Sequence, residues 1–362
     1  MSYRLAQLKR NSLVALGAAV TLGALGASAL PASAAEHRDS KATNGYTVTS
    51  FSAVGNETNP DDITRLGDRI YVAFQNGVGP LGEASTTGVT SSTIQEYRLN
   101  GRAGKSWQIP GKIDGLTADN AQHRLLMTTN EDGNSHISTL TIGGEHALKT
   151  YTYSGLTHGG GTDAISLVRG HIVISASAPT NASGPALYAV DLEGTVAKLT
   201  PEFADNASAT AVNGPQAGQF VLLALTDPDS NTVVPRSSSR FPGEFMLTSQ
   251  GDKQLIFASD LGTSKQTLQV LSVTQPLDDT AFATRSQQTL WVTDPTHNTI
   301  DAVTGPFTPG EAISAVTPDV GPAYLATLNL ADGTLNPIKE LSTIQPKGLL
   351  FSPETDEPAK EK

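Results

Sequence analysis

Acidic residues stand in the turns that precede several short apolar runs of the sequence. They are Asp62, Asp114, Asp163, Glu244 and Asp279. Carboxylates brought together from separate segments can hold a cation between them, which is one chemistry that this spacing allows. Each acid can instead accept backbone N–H bonds inside its own turn, as aspartate often does. The sequence leaves both interpretations open, and they differ in whether the acids converge on one place.

A second set of oxygen-bearing residues follows other apolar runs, in the segments NEDGNS, TDPDSN and VTDPTHN. Ca²⁺ takes about six to eight oxygen ligands, so alternating Asp and Asn residues suit it. The run TDPDSN has this alternation but lacks the glycine and the distal glutamate of a full calcium loop, and a tight structural turn explains it equally well. The predicted ligands of Ca²⁺ or another divalent metal are Asp62, Asn130, Asp163, Asp227, Asp229 and Asp294.

Two further features are candidates for chemistry or binding. His158, in the glycine-rich run THGGGTD, could form a general acid–base pair with Asp163, although a loop histidine is more often simply exposed. Arg236, Arg240 and Phe241 form a candidate binding loop, because arginine and aromatic residues are enriched at contact sites. Phe241 can instead anchor that loop in the core.

The elements that must position these residues are predicted to be short β-strands. The acidic turns are followed within about ten residues by apolar runs such as IYVAF, RLLMTT and IVISAS, which are too short for stable helices. Units of three or four antiparallel strands that recur every 30 to 55 residues, roughly, are typical of an all-β fold, the β-propeller. Seven blades are expected, with six as the alternative. The runs YTVTSFSAV and PKGLLFSP are predicted to complete one blade from both termini, which closes the ring of a single domain over residues 46–353.

The composition excludes several classes of protein. The 362 residues include 34 Gly, 21 Pro and no Cys, which favours many turns and excludes disulfides, thiol catalysis and thiolate zinc sites. The net charge of −11 opposes the binding of nucleic acid, because phosphate backbones are repelled.

Residues 1–34 are predicted to be a secretory signal. Positive residues precede the apolar run SLVALGAAVTLGALGASAL, and small residues at Ala32 and Ala34 suit cleavage after Ala34. An uncleaved membrane anchor is the alternative, because the run is almost long enough to span a bilayer. The mature chain is expected to be extracellular, without a membrane span, and to have flexible segments at residues 35–45 and 354–362.

The turns NPDDI, KIDGL and PKGL, followed by apolar second strands, resemble the blades of the SMP-30/gluconolactonase-like and NHL/YncE-like propeller families. The chain also resembles exported propeller proteins of high-GC Gram-positive bacteria. Lactonase-like members bind one divalent metal at the channel mouth through a glutamate, two asparagines and an aspartate. The resemblance offers Glu57, Asn130 and Asp294 as candidates for these ligands by their position in the sequence.

The sequence supports two functions. The first is a secreted, monomeric scaffold that binds a small molecule, or an extracellular or cell-envelope protein, at its acidic rim without chemistry. The second is a metal-dependent hydrolase or lactonase that uses the acidic rim to hold Ca²⁺ or another divalent ion. The fold by itself does not decide between them, because propellers serve many unrelated functions.

Overall fold

The computed structural model describes residues 38–353 apart from 44, 53–54, 145–146, 158–159 and 179–183. The predicted signal with its cleavage site at Ala34, His158 and residues 354–362 lie outside the described residues. The described chain is built from β-strands, with one short 3₁₀ turn at Lys339–Leu341. None of the helical structure within these ranges is long and apolar enough to cross a membrane.

The described chain begins with a hairpin and continues with three four-stranded antiparallel blades. The second and third of these blades are joined by a parallel pairing of their outermost strands into one eight-stranded sheet. The hairpin is β1 (Arg38–Thr43) and β2 (Tyr46–Ser52). The first blade is β3 (Pro60–Leu66), β4 (Arg69–Phe74), β5 (Ser91–Arg98) and β6 (Ala103–Pro110). The second blade is β7 (Ile113–Asp119), β8 (Arg124–Thr129), β9 (His136–Thr141) and β10 (Leu148–Ser154). The third blade is β11 (Thr162–Val168), β12 (His171–Ala176), β13 (Pro185–Glu193) and β14 (Val196–Ala204).

The fourth blade carries two additional strands at its outer edge. These are β15 (Ser208–Ala211) and β16 (Phe220–Leu222), and the blade proper follows as β17 (Pro228–Val233), β18 (Phe245–Ser249), β19 (Gln254–Ser259) and β20 (Thr267–Ser272). Strand β15 pairs in parallel with β20, so the chain adds the outer edge of this blade before it builds the inner strands.

The fifth and sixth blades are interlaced. Their strands are β21 (Leu277–Phe282), β22 (Gln288–Asp294), β23 (Thr299–Thr304), β24 (Ala312–Val316), β25 (Tyr324–Leu328), β26 (Leu335–Pro337) and β27 (Leu349–Pro353). The fifth blade has the order β21-β24-β25-β26, and the sixth has the order β27-β22-β23-β2-β1. The chain therefore leaves the fifth blade after one strand, builds the middle of the sixth blade, and returns. As predicted, strands from both ends of the described chain close the ring.

The described residues form six blades, the smaller of the two numbers considered from the sequence. Seven blades were expected because the length of the predicted mature chain divided by seven gives about 46 residues, a usual blade size. Two of the segments that resemble the start of a blade do not start one. The run SATAVNG contains β15, which is an edge strand and does not start a blade. Glu244 precedes β18, the second strand of the fourth blade, so it does not mark the start of an inner strand as expected.

The hydrophobic core lies between neighbouring blades. The second strand of a blade is covered on both faces, which is why β4 and β8 read as continuous apolar runs without polar alternation. At the closure, Trp291 of β22 stacks on Phe51 of β2 with ring centroids 6.0 Å apart. The Trp291 indole N–H also donates a hydrogen bond of 2.8 Å to the Ser352 hydroxyl in β27. Three separated segments thus meet on one buried aromatic residue.

Candidate functional site

Every blade presents a charged residue at the same place, where its innermost strand begins. In the first five blades it is the second residue of the inner strand, and in the sixth it lies just before β27. These residues, called the charged ring, are Asp61, Asp114, Asp163, Asp229, Asp278 and Lys347. They line one cavity of about 220 Å³, the upper chamber of the central channel, together with Asp62, Lys112, Glu131, Asp227, Gln250 and Asp279.

The inner strands share an irregularity that directs these side chains into the channel. The register with the second strand shifts at the start of each of the five inner strands that have an aspartate as their second residue, for instance between Pro60 and Ile63 and between Thr162 and Ile165. A β-bulge at this point re-aims side chains, as bulges next to functional sites often do. Asp62 follows Asp61 directly, and both line the upper chamber.

The carbonyl groups of three ring residues are held by the neighbouring blade. The Thr293 hydroxyl in β22 donates a bond of 2.5 Å to the Asp61 carbonyl, and the Ser175 hydroxyl in β12 donates one of 2.9 Å to the Asp229 carbonyl. The Thr128 hydroxyl in β8 donates to the Asp163 carbonyl in the same way. A hydroxyl on the second strand of one blade therefore fixes the ring residue of the next blade.

Close contact between inner strands requires glycine at two positions next to the ring. A Cβ atom on Gly115 would lie 2.6 Å from the Asp163 carbonyl oxygen, and one on Gly348 would lie 2.4 Å from the Asp61 carbonyl oxygen. Neither distance is compatible with a side chain, so these glycines allow adjacent inner strands to approach and keep the ring narrow.

Two lysines neutralise part of the ring. Lys347 lies with its ammonium group 2.7 Å from an Asp61 carboxylate oxygen and keeps 32% of its side-chain surface open to the channel. The Lys112 ammonium lies 2.7 Å from an Asp114 carboxylate oxygen and also contacts the Glu131 carboxylate. Burial alone would lower the pKa of Lys347, but the carboxylates around it, Asp61 first, raise that pKa well above its ordinary value.

Asp163 has no such partner. It is 7% exposed, and its carboxylate forms no hydrogen bond or ion pair with another described residue. A buried carboxylate without a partner is costly, so the protein favours its neutral form. Burial raises the pKa of Asp163 well above its ordinary value, and the charges of Glu131 and Asp114 raise it further. Burial also raises the pKa of Asp114 and that of Asp279 to about 7.

Below the charged ring the channel continues as a lower chamber of about 290 Å³. Asp62, Ala164, Ser230 and Asp279 line both chambers and form their boundary. Three residues beyond each ring residue, the inner strands present a second set of side chains to the lower chamber. In the first four blades these are hydroxyl-bearing residues, called the hydroxyl ring: Thr64, Thr117, Ser166 and Thr232. In the fifth and sixth blades they are Ala281 and Leu350, so the hydroxyl ring does not continue around the whole chamber.

The structure brings together some of the residues singled out in the sequence and separates others. Those that line the upper chamber are Asp62, Asp114, Asp163, Asp227, Asp229 and Asp279. Asn130 and Asp294 do not line it. The Asn130 side chain accepts a bond from the Lys112 N–H and donates one to the Asn134 carbonyl, so it holds its own turn together.

Sequence reasoning missed several residues of the upper chamber, namely Asp61, Lys112, Glu131, Gln250, Asp278 and Lys347. One signal for Asp61 and Asp278 was present, because each follows an apolar or proline residue at the start of its inner strand, as Asp114 and Asp229 do. In the run PKGL, Lys347 follows a proline as Asp61 and Asp229 do. Its positive charge departs from the acidic pattern, so a search for recurring acids does not find it.

No group of three or more His, Asp and Glu side chains among the described residues is arranged to hold a metal ion. The Ca²⁺ site therefore remains a prediction. Glu57 lies in the segment before β3 and does not line the upper chamber.

The predicted binding loop is built around a buried aromatic residue. Phe241 is buried and stacks on Phe257 with ring centroids 3.8 Å apart, which makes it the anchor of the loop. The Arg240 guanidinium lies 5.1 Å from the centroid of the Phe241 ring. Arg236 is exposed on the same loop. The loop follows β17, at the opposite end of the inner strand from the charged ring.

The strand order and the channel define a six-bladed β-propeller with a charged channel mouth. No protein-family model matches the chain, and no curated protein matches it. Its structure is similar to that of a putative 6-phosphogluconolactonase from Bacteroides uniformis, at 12% identity over 85% of this chain and 94% of that one, with a TM-score of 0.49. It is also similar to the periplasmic gluconolactonase PpgL of Pseudomonas aeruginosa, at 13% identity over 85% of this chain and 95% of that one, with a TM-score of 0.46. A third similarity, to the β-propeller domain of Cps50 from Myceliophteria thermophila, has 9% identity over 79% of this chain and 98% of that one and a TM-score of 0.40. These similarities say nothing about the activity of this chain.

Proposed function

We propose that the protein is a binding scaffold whose charged ring takes the ammonium group of a small organic molecule. The observation that carries this proposal is the buried Asp163 carboxylate, which faces the upper chamber without a partner of its own. The chamber is lined by nine carboxylic acids and only two lysines, so its field favours cations. The predicted signal segment would place this site outside the cell.

The protein's own lysines support an ammonium group as the ligand. Lys347 and Lys112 each place an ammonium 2.7 Å from a ring carboxylate, so the chamber already accommodates this group with normal geometry. Asp163 and Asp229 occupy equivalent positions on their blades, and neither carboxylate forms an ion pair with a described residue, although Lys112 acts on Asp163 and Lys347 on Asp229 from a longer distance. An external ammonium group would give them the partner that Asp61 and Asp114 already have.

Binding of ethylammonium, measured by isothermal titration calorimetry or by ligand-observed NMR, tests this proposal. An ammonium ligand favours the ionised form of Asp163, and Asp163→Asn keeps the shape of the side chain but cannot ionise, so we expect the affinity to fall by about tenfold or more. Asp191→Asn is the matched control, because it removes the same charge from an exposed position of the third blade and should leave the affinity unchanged. Equal binding by Asp163→Asn and the wild type would overturn the proposal.

A metal-dependent lactonase is the second candidate. The observation that favours it is the pKa of about 7 for Asp114 and for Asp279, because a carboxyl group that titrates near neutral pH can act as a general acid or base. Hydrolysis of a sugar lactone would be followed after EDTA treatment and after Ca²⁺, Mg²⁺ or Zn²⁺ is returned, alongside thermal unfolding under the same conditions. Hydrolysis that depends on one ion and is lost in Asp279→Asn would support the enzyme, whereas the absence of both effects would exclude it.

A further inference from the structure

The side chains that line the lower chamber indicate which chemical groups a ligand would carry besides its ammonium group. Thr64, Thr117 and Thr232 line this chamber, and their hydroxyl groups form no hydrogen bond with another described residue. By contrast, the Ser166 hydroxyl is occupied, because it donates to the Asn231 carbonyl at 3.0 Å. Three hydroxyl groups, on the first, second and fourth blades, are thus available to a ligand that enters through the charged ring.

The lower chamber has a different character on the fifth and sixth blades. Ala281 and Leu350 take the place of the hydroxyl ring on the fifth and sixth blades, and Phe282 and Phe351 lie beside them. The chamber therefore offers both hydrogen-bonding and apolar groups to a ligand. A pyranose ring combines the same two kinds of group, since hydroxyl groups project around its rim while its faces carry C–H bonds.

The volume of the lower chamber and its position next to the upper chamber limit the size and shape of the ligand. The lower chamber, at about 290 Å³, is at the small end of ligand pockets, which run from about 300 to 1,000 Å³, so it suits one sugar ring better than a chain of them. Asp62 and Asp279 line both chambers, which places carboxylates at the boundary where the two parts of a ligand would join.

We infer that the channel binds an amino sugar, with its ammonium group at Asp163 and the neighbouring ring carboxylates and its hydroxyl groups toward Thr64, Thr117 and Thr232. This inference rests on the proposed function, and it adds the chemical class of the ligand. A simple amine would leave the free hydroxyls of the lower chamber without partners, and a neutral sugar would leave Asp163 without one. An amino sugar satisfies both sets of groups at once.

The test compares three probes on the wild-type protein by calorimetry at one pH. They are glucosamine, cyclohexylamine, which has the ring size and the ammonium group without hydroxyls, and glucose, which has the hydroxyls without the ammonium group. We expect glucosamine to bind about tenfold or more tightly than cyclohexylamine, because two or three hydrogen bonds to neutral groups add up to that difference, and glucose to bind more weakly than either.

A triple variant, Thr64→Val with Thr117→Val and Thr232→Val, keeps the side-chain volume and removes the three hydroxyls. It should lower the affinity for glucosamine to that for cyclohexylamine and should not weaken the binding of cyclohexylamine, whose apolar ring makes no hydrogen bond to these residues. Thr141→Val, on the exposed end of β9, is the control for the substitution itself. Because cyclohexylamine binding reports on the fold and the charged ring, a misfolded variant would be recognised by its loss.

The outcomes separate this inference from the proposal beneath it. If cyclohexylamine binds as tightly as glucosamine, the inference is overturned and the ammonium site stands. If neither amine binds, both fail. If glucose binds as well as glucosamine, the ammonium group plays no part, and the inference is overturned together with the role of Asp163.

Discussion

Asp163 and Asp294 look alike in the sequence, since each follows a threonine next to an apolar run, yet the structure gives them opposite roles. Both are buried, at 7% and 1% exposure. The Asp294 carboxylate accepts three hydrogen bonds: from the His297 N–H at 2.9 Å, the His297 imidazole at 2.7 Å and the Gln345 N–H at 2.8 Å. The Asp163 carboxylate accepts none from a described residue and faces the upper chamber.

The difference lies in where each residue stands on its strand. Asp294 is the last residue of β22 and closes the turn that leads to β23. Asp163 is the second residue of β11, where the bulge turns side chains toward the channel. An acid that completes a turn uses its oxygens within the protein, whereas an acid on the inner strand keeps them for whatever enters the channel. Accounting for hydrogen bonds therefore separates structural acids from acids that are available to a ligand.

Truncating each carboxylate should give the largest contrast between them. Asp294→Ala removes a buried carboxylate and the acceptor of three hydrogen bonds, and should lower the free energy of unfolding by about 2–4 kcal/mol. Asp163→Ala removes no hydrogen bond and relieves repulsion from Glu131 and Asp114, so it should change stability by less than about 1 kcal/mol or raise it. Urea denaturation at pH 7 measures both, and equal losses would contradict the distinction.

The dependence of stability on pH should sharpen the contrast further. Burial raises the pKa of Asp114 and Asp279 to about 7 and that of Asp163 well above its ordinary value, so the folded protein keeps protons that the unfolded chain releases near pH 4. The free energy of unfolding should therefore fall as the pH rises from 4 toward 7, by up to about 1.4 kcal/mol per pH unit for each such group, and level off above that range.

Urea denaturation between pH 4 and 8 measures this slope. Asp163→Asn removes one of the groups, so its slope should be shallower than that of the wild type. An unchanged slope would mean that Asp163 does not retain its proton in the folded state. Binding of an ammonium ligand should follow the reverse trend and strengthen as the ring carboxylates ionise.

The smallest effect is expected at His297, the partner of Asp294. The hydrogen bond to Asp294 and the charge of that carboxylate raise the pKa of His297 above its ordinary value. The protonated imidazole thus contributes stability that is present below the unfolded pKa of about 6.5 and is lost as the pH rises through the folded pKa. His297 is half exposed, so His297→Ala should cost less than about 1 kcal/mol, and more at pH 5 than at pH 8. NMR titration of the imidazole checks the direction of the shift.

Local sequence patterns predicted part of this architecture. Short β-branched runs predict strands, and the apolar segments near both ends correctly predict that the two ends of the described chain close one blade. The number of blades could not be predicted from these patterns. Strands β22 and β24 are both short, buried runs, and only their pairing with distant segments decides which blade each one joins. That pairing depends on packing between segments far apart in the sequence, which periodicity does not encode.

The candidate site was predictable to a similar extent. The recurrence of acids before apolar runs identified Asp62, Asp114, Asp163 and Asp279. The acids that follow apolar runs included Asp229, which lines the upper chamber, and Asp294, whose carboxylate is used within its own turn. The bulge that exposes two consecutive side chains leaves no clear trace in residue types. The hydroxyl ring was invisible as well, because a threonine at an inward position of a strand has no sequence feature that distinguishes it from one at an outward position.

The interlacing of the fifth and sixth blades has a consequence for the order in which the chain is made. Synthesis proceeds from the N-terminus, so β22 and β23 are complete at Thr304 while the inner strand of their own blade, β27, does not begin until Leu349. Until that last strand arrives, the growing polypeptide carries a sheet whose inner edge is open, and open edges invite pairing with other chains. The propeller therefore acquires its sixth inner strand, and with it Lys347 in the ring, only after its other described strands have been made, and chaperones that shield a strand edge would have their largest effect before that point.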